Sequence, residues 1–373
     1  PTPLSPSAVP LLIDWYRQNR RDLPWRESRD PYRVLVSEIM LQQTRAETVK
    51  PYFHRFLATL PTVEALANAD EPTLLKLWEG LGYYSRVRNL QKAARAVMEH
   101  HGGVIPADFD ALLKLPGVGR YTAGAVASIA FGIPVPAVDG NVLRVYSRIT
   151  ASAEDIALDK TKKSVREELR KVYPSGEDAA MLTEALMELG ETVCVPNAAP
   201  KCEFCPVKEH CQAHLTGTTD DYPVKSGKKA RRIEPRTVLL LRCGSRYAVR
   251  KRPSGGLLAE MWEFPNADGH LSGKEAVEKC RVSAEIRKIR PLGTAKHIFS
   301  HVECLSFNCN YVCRNYNSLR GGNQTHGSNG KLTHKHDQDD PVAYLLAALA
   351  LDLILIGDEG FILALHIFLL AGW

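Results

Sequence analysis

The feature that most constrains this chain is the stretch Cys194-Val-Pro-Asn-Ala-Ala-Pro-Lys-Cys202-Glu-Phe-Cys205-Pro-Val-Lys-Glu-His-Cys211. Its four cysteines are separated by turn-forming or polar residues. Four thiolates converging on a short loop hold either Zn²⁺ or a [4Fe–4S] cluster. A zinc site expects two C-x₂-C knuckles. Here there is one, Cys202 and Cys205, with a single cysteine on either side, and that asymmetry favours the cluster. Free or disulfide-bonded cysteines are the alternative. The chain holds nine cysteines, and Pro1 to Ala8 is neither cationic nor apolar, so a reducing compartment is expected, where thiols serve metals. That compartment would be the cytoplasm, with nucleoid association in a bacterial source. A group bound here would tie the end of a helical domain to itself.

Upstream, from Val9 to about Leu215, apolar residues recur at three- and four-residue spacing, as in Leu11, Leu12, Trp15 and Tyr16 or Leu74, Leu75, Leu77 and Trp78. Helix ends are expected at Asp30-Pro31, Leu60-Pro61 and Gly102-Gly103. No alternating strand run occurs in this half, which reads as all-α. At 373 residues the chain has room for two domains. A net charge of +6 is mildly suggestive of a polyanionic partner.

Three stretches in this half carry chemistry. In Ser37-Glu38-Ile39-Met40-Leu41-Gln42-Gln43-Thr44, Glu38 sits inside an apolar run. Burial there would raise its pKa and make it a general acid, whereas a surface glutamate on an inward-facing helix is the ordinary alternative. Gln42, Gln43 and Thr44 are polar residues near the helix end. Gly80-Leu81-Gly82-Tyr83-Tyr84-Ser85-Arg86 sets aromatics and a cation in a turn, able to stack on bases and meet phosphates, or simply to pack between helices. Leu115-Pro116-Gly117-Val118-Gly119-Arg120-Tyr121-Thr122-Ala123 runs a Gly-x-Gly turn into an apolar helix. Outward amides there form a phosphate nest, and with the helix from Phe109 to Leu115 the segment makes a helix–hairpin–helix. Asp139 and Asn141 open a further helix from Val142 to Arg148, where either could be a cap. Paired with Glu38, Asp139 supplies a second carboxylate: one protonated acid, one ionised stabiliser of positive charge.

These residues together resemble the helix–hairpin–helix DNA glycosylases with an iron–sulfur cluster, and within them the adenine DNA glycosylases of the MutY type. The likeness runs from about Trp15 to His301. It rests on Leu23-Pro24-Trp25-Arg26, Asp30-Pro31-Tyr32, Ser37 to Thr44, Gly80 to Arg86, Leu115 to Ala123, Asp139 to Arg148, Glu188-Leu189-Gly190 and the cysteines. The resemblance implies an all-α helix–hairpin–helix glycosylase domain over residues 1–215, with its [4Fe–4S] loop at 194–211. It implies double-stranded DNA containing adenine opposite 8-oxoguanine or guanine as partner, no stable membrane association, and a monomer. Relatives of the endonuclease III type place a Schiff-base lysine directly after the hairpin. Tyr121 stands there in this chain, which implies monofunctional base excision. The family spacing C-x₆-C-x₂-C-x₅-C is departed from once: seven residues separate Cys194 and Cys202.

The implied roles are specific. Adenine must leave the duplex, with Leu41, Gln43 and Tyr83 matching positions that wedge into the stack. Glu38 would protonate adenine N7, and ionised Asp139 would stabilise an oxocarbenium-like sugar. Tyr121 and Asn141 would sit around that sugar. Arg26 and Glu184 would line the base pocket together with Gln42 and Thr44. The amides of Gly117, Val118 and Gly119 would hold the DNA backbone without reading sequence. The metal ligands would be Cys194, Cys202, Cys205 and Cys211.

Residues 216–236 read as a basic linker, with Lys225, Lys228, Lys229, Arg231 and Arg232. From Thr237 the periodicity changes to strands, Val238 to Leu241 and Tyr247 to Val249, joined by a turn at Gly244-Ser245. Arg252 to Pro265 and Phe299-Ser300-His301 resemble the family's smaller α+β Nudix-like domain, expected over 237–312, where Phe299, Ser300 and His301 would recognise 8-oxoguanine. No run of closely spaced glutamates suits Mg²⁺, so binding without pyrophosphate hydrolysis is expected. Residues 313–373 match nothing in that family, and the apolar runs Pro341 to Leu351 and Gly360 to Trp373 are each too short to span a bilayer. A glycosylase for another mispaired base, such as thymine opposite guanine, and a lesion-binding protein without catalysis are the competing functions.

Overall fold

The computed structural model describes residues 4–227, 230–243, 246–247, 249–253, 255–256, 262–280, 286–298 and 302–313. The chain divides into two compact units, Pro1–Gly227 and Lys228–Trp373. The break falls inside the expected linker because the first part of that segment is held by the helical unit. Arg148 Nε donates to the carbonyls of Thr219 (3.1 Å) and Tyr222 (3.0 Å), and Ile156 N to that of Val224 (3.0 Å).

The first unit runs α1 (Ala8–Asn19), α2 (Pro31–Leu41), α3 (Ala46–Thr59), α4 (Val63–Asn68), α5 (Glu71–Trp78), α6 (Ser85–His101), α7 (Phe109–Lys114), α8 (Arg120–Phe131), α9 (Gly140–Thr150), α10 (Asp159–Arg170), α11 (Glu177–Thr192) and α12 (Gln212–Leu215). Local chemistry sets these boundaries. Asp70 and Asp108 cap α5 and α7 by accepting the amides of Thr73 and Ala111. Gly102 ends α6 in the left-handed region at φ 60°. Asp30-Pro31 does not end a helix, contrary to the expectation from sequence. It opens α2: Asp30 accepts the Arg33 amide at 2.8 Å, and Pro31 takes the first helical position, where its missing N–H is no loss.

Two apolar cores form. One gathers α2 to α8, with Phe53, Phe56, Leu66, Leu74 and Trp78 fully buried. The other gathers α1, α9, α10, α11 and the cysteine loop around Leu12, Tyr16, Leu169, Leu182 and Leu186. α11 packs against α1, α8 and α9, and α2 against α8. Across the α8–α11 contact runs a dry hydroxyl chain. Thr183 Oγ1 lies 2.6 Å from Tyr173 Oη and donates to Ser128 Oγ at 2.8 Å. Such satisfied polar groups fix one register between apolar helices.

The second unit holds a five-stranded mixed sheet, a separate two-stranded sheet and a helix. Its strands are β1 (Arg232–Cys243), β2 (Arg246–Tyr247), β3 (Arg250–Lys251), β4 (Trp262–Glu263), β5 (Asn266–Asp268), β6 (Ile286–Ile298) and β7 (Val302–Cys313), with α13 (Gly273–Lys279) between β5 and β6. The order in the larger sheet is β2-β1-β7-β6, with β5 also on β1, and β3 pairs with β4 in the smaller. β1 runs parallel to β7, and β6 antiparallel to β7. Ser272 and Glu275 form a reciprocal capping box on α13, whose Ala276 packs on Leu239 and Leu241 of β1. β1 begins earlier than the expected strand at Val238, since Arg232 to Thr237 also pair with β7. The expected turn Gly244-Ser245, the 8-oxoguanine triplet Phe299, Ser300 and His301, and residues 314–373 lie outside the described residues. Among the described residues no helix is long and apolar enough to cross a membrane.

The α9–α11 contact is tight because Gly190 has no side chain. A Cβ there would lie 2.6 Å from Asn141 Cβ and 3.2 Å from Asn141 Cα. Gly190→Ala should therefore destabilise the first unit by about 2 kcal/mol through overpacking, read as a lower melting temperature in thermal denaturation.

Candidate active site

A cavity of about 130 Å³ opens between residues of the two helical cores. Glu38 and Leu41 of α2, Tyr121 of α8, Asp139 and Asn141 at the start of α9, and Glu184, Met187 and Glu188 of α11 line it, with Arg26, Trp25 and Thr44. The four residues expected to be catalytic, distant in sequence, thus share one cavity.

Glu38 is 5% exposed in the middle of α2. Tyr121, in the first turn of α8, donates its hydroxyl to Glu38 Oε2 at 2.6 Å. Burial pushes the Glu38 carboxyl up to about 7; the Tyr121 bond opposes this, and the charge of Asp139 adds to it. Burial, followed by the same carboxylates, raises Tyr121 well above the phenol range, so it stays a donor at neutral pH. With Oε2 already accepting, the proton of neutral Glu38 belongs on Oε1.

Asp139 caps α9. Its Oδ1 accepts the Val142 amide at 2.8 Å, and its Oδ2 accepts Asn141 Nδ2 at 2.9 Å. Burial raises its pKa, and these donors hold it back. Donors aimed at both oxygens favour the anion and oppose the effect of burial at Asp139, while Glu38 has a single such donor in Tyr121. The cap reading and the catalytic reading of Asp139 are one geometry: capping fixes the rotamer that faces the cavity.

Asn141 is itself held. Arg144 Nη2 donates to Asn141 Oδ1 (2.9 Å) and to the Gly190 carbonyl (2.6 Å), and Arg144 Nε to the Cys194 carbonyl (2.8 Å). An unbroken chain of bonds therefore links the first cysteine of the loop to Asp139.

The opposite wall is an ion network that is only partly expected from the sequence. Arg26 Nη2 donates to Glu188 Oε2 at 2.8 Å and stands 3.9 Å from Glu184 through Nε. Arg21 donates to Glu188 Oε1 at 2.6 Å, and Arg29 to Glu184 Oε2 at 2.8 Å. Glu188 is wholly buried, and its two arginines hold its carboxyl below the ordinary range against the opposing effect of burial. Glu184, Glu188 and Glu191 recur at helical spacing on otherwise apolar α11, and that acidic stripe was the readable signal for the residues missed, Arg21, Glu188 and Glu191.

The remaining assignments divide. Gln42, Gln43 and Tyr83 do not line the cavity. Gln42 Nε2 reaches Thr122 Oγ1 at 3.4 Å, whereas Gln43 (φ 59°) and Tyr83 (φ 47°) are exposed loop residues in the left-handed region. Arg86, expected to meet phosphate, is instead buried and bound to backbone carbonyls. In the hairpin, the Val118 amide is engaged with the Leu115 carbonyl at 3.1 Å and its side chain belongs to the core. The phosphate-nest assignment therefore narrows to Gly117 and Gly119. Gly117 has φ 75°, and a Cβ there would lie 2.5 Å from Asn89 Cβ; a Cβ at Gly119 would meet nothing within 4 Å.

The four cysteines line a second, apolar cavity with Val145, Ile149, Leu189, Val193, Pro200 and Val207. Arg148 Nη1 donates to Cys194 Sγ at 3.3 Å, and Cys211 Sγ lies 3.3 Å from the Arg148 carbonyl. Lys201 N donates back to Val193 O at 3.0 Å, so the seven-residue segment between Cys194 and Cys202 closes at its base and its extra residue is taken up in the loop. Among the described residues no three of His, Cys, Asp or Glu converge tightly enough for one metal ion. Four thiols on one apolar cavity are a donor set that suits a [4Fe–4S] cluster, and tetrahedral zinc as well.

Residues 36–175 match the HhH-GPD superfamily of base excision DNA repair proteins, and residues 237–339 match the NUDIX domain, which thus extends past the expected boundary at 312. The chain is 36% identical over 354 residues to the adenine DNA glycosylase of Rattus norvegicus, covering 78% of this chain and 68% of that one. It is 31% identical over 296 residues to the adenine DNA glycosylase of Buchnera aphidicola subsp. Baizongia pistaciae, covering 78% and 82%. A thermostable thymine-DNA glycosylase superposes with a TM-score of 0.51 at 32% identity, over 56% of this chain and 96% of that one.

Because Glu38 binds its proton more tightly when folded, its contribution to stability is present below its ordinary carboxylate range and lost as pH rises through about 7. Glu38→Gln should therefore melt above the wild type at pH 8 and converge with it near pH 4. Equal melting temperatures at both values would show that Glu38 is not desolvated.

Proposed function

Since the chain belongs to the adenine DNA glycosylases of the HhH-GPD superfamily, and is a base excision repair enzyme acting on adenine in DNA, we propose that it releases adenine opposite 8-oxoguanine or guanine by general-acid catalysis from Glu38. The observation that carries this is the buried Glu38–Tyr121 pair sharing its cavity with capped Asp139.

The steps follow from that cavity. An extruded adenine enters it. Glu38 gives its proton to N7, which makes the base a better leaving group. As the glycosidic bond lengthens, positive charge develops on the sugar, and ionised Asp139, held by Asn141 and the Val142 amide, stabilises it. Water then adds at the sugar carbon and passes its proton to the carboxylate pair, restoring neutral Glu38 and leaving an abasic site. Tyr121 occupies the place of a Schiff-base lysine and has no amine, so the strand stays intact. Arg26, Glu184 and Glu188 give the base end of the cavity fixed donors and acceptors. Gly117 and Gly119 amides meet the DNA backbone, Leu41, Gln43 and Tyr83 wedge into the stack, and Phe299, Ser300 and His301 read 8-oxoguanine.

Cys194, Cys202, Cys205 and Cys211 would hold a [4Fe–4S] cluster. When bound, its chemistry there is structural, joining the end of α11 to α12 and fixing the Cys194 carbonyl that Arg144 grips.

The likeness to a thymine-DNA glycosylase leaves out the second unit, so a single assay separates the two readings. A labelled duplex carries adenine opposite 8-oxoguanine or guanine, or thymine opposite guanine, and is followed in single turnover with and without alkali. Strand breaks that need alkali, fastest for adenine opposite 8-oxoguanine, are expected. Cleavage of the thymine duplex alone would replace adenine by thymine as substrate. The rate should fall as pH rises through about 7, as the protonated fraction of Glu38 declines. Glu38→Gln should lose base release, by about 100-fold or more, while keeping mispair binding. Cys202→Ser should lower iron content, visible absorption and DNA affinity together.

A further inference from the structure

The loops after α2 and after α5 lie far apart in sequence, yet one side chain bolts them together. Arg86 Nη1 donates to the carbonyls of Ile39 (3.1 Å), Met40 (3.0 Å) and Gln42 (2.5 Å). Arg86 Nη2 donates to those of Leu81 (2.9 Å) and Gly82 (3.2 Å), and both nitrogens lie 3.4 Å from Thr44 Oγ1. The guanidinium stands 5.3 Å from the Trp78 ring centroid and 5.6 Å from that of Tyr83. It is 9% exposed, and burial lowers its pKa only to about 10, so it is a cation at neutral pH.

The carbonyls it grips flank Gln43 and Tyr83. Both are non-glycine residues at positive φ, a conformation that persists only where surrounding contacts over-determine it. Arg86 supplies those contacts for both loops from one planar group. Only guanidinium has the fork of donors to reach two loops at once; an ammonium is a compact point charge.

We propose that Arg86 is a positioning residue for base extrusion, setting the spacing between the two residues that enter the DNA stack, Gln43 and Tyr83. This rests on the glycosylase reading above. Arg86 does not itself line the cavity, which it meets only through Thr44. Its effect is on the step that takes adenine out of the duplex, and it acts through both loops together.

The test compares wild type and Arg86→Lys in single-turnover adenine release on two duplexes. Both carry adenine opposite 8-oxoguanine. One has paired flanks and the other mismatched flanks, where extrusion is easier. Stopped-flow fluorescence of 2-aminopurine at the adenine position follows extrusion directly. R86K should be about 100-fold slower with paired flanks, in line with the effect of small misplacements, should extrude 2-aminopurine correspondingly late, and should approach wild type with mismatched flanks. In a Gln43→Ala, Tyr83→Ala background, R86K should add no further loss. Equal slowing on both duplexes, an undiminished loss in that background, or no slowing at all overturns the proposal. A wild type that releases adenine from neither duplex overturns the glycosylase reading and the proposal with it. Should R86K not fold, Arg86→Gln, which keeps a planar donor but cannot reach both loops, decides by the same comparison.

Discussion

The first unit depends on keeping one carboxyl dry. Glu38 is a charged residue type in the middle of a buried helix, where ordinary packing would place an aliphatic chain. Its environment is supplied by both cores at once: α2 and α8 from one, the start of α9 and α11 from the other. Neither core alone encloses it. The hydroxyl chain from Tyr173 to Ser128 joins α11 of one core to α8 of the other, while the close α9–α11 contact at Gly190 tightens the second core itself.

Around that carboxyl the charges fall into two systems. Arg21, Arg26 and Arg29 meet Glu184, Glu188 and Glu191 on the α11 side, and the wholly buried Glu188 is tolerable there because both its oxygens accept from arginine. On the α9 side Asp139 relies on an amide and Asn141, and Asn141 relies on Arg144. That second chain ends at the cysteine loop. The cysteine loop and Asp139 are thus neighbours in bonding terms.

Much of this was legible in the residues. Helical periodicity marked the first unit as all-α, Glu38 and Asp139 were readable as a candidate carboxylate pair, and Tyr121 and Asn141 entered through the family resemblance. The features that escaped did so for physical reasons. Asp30-Pro31 reads equally as the end of one helix or the start of another, because proline is tolerated at a first turn and forbidden inside. Arg86 looked like a phosphate ligand because a sequence shows its charge and not the five carbonyls that surround it. Val118 sits between two glycines, yet its own amide closes the turn. Glu188 belongs to a recognisable motif but carried no expected role, since pairing with Arg21 and Arg26 needs a contact 162 or more residues away. In the second unit, alternation marked the strands, but a parallel β1–β7 pairing between segments so far apart leaves no local trace.

The burial of Glu38 also shapes the end of the catalytic cycle. A carboxyl that surrenders its proton in this cavity becomes an anion in surroundings that disfavour anions, beside Asp139. In the proposed reaction the water that adds to the sugar gives up one proton for the one that Glu38 gives to the base, so the hydrolysis as a whole is proton-neutral. The Glu38 anion is confined to the interval between loss of the base and addition of water, and the burial that disfavours it drives the return of the proton. The same enclosure that arms the acid for one turnover thereby re-arms it for the next.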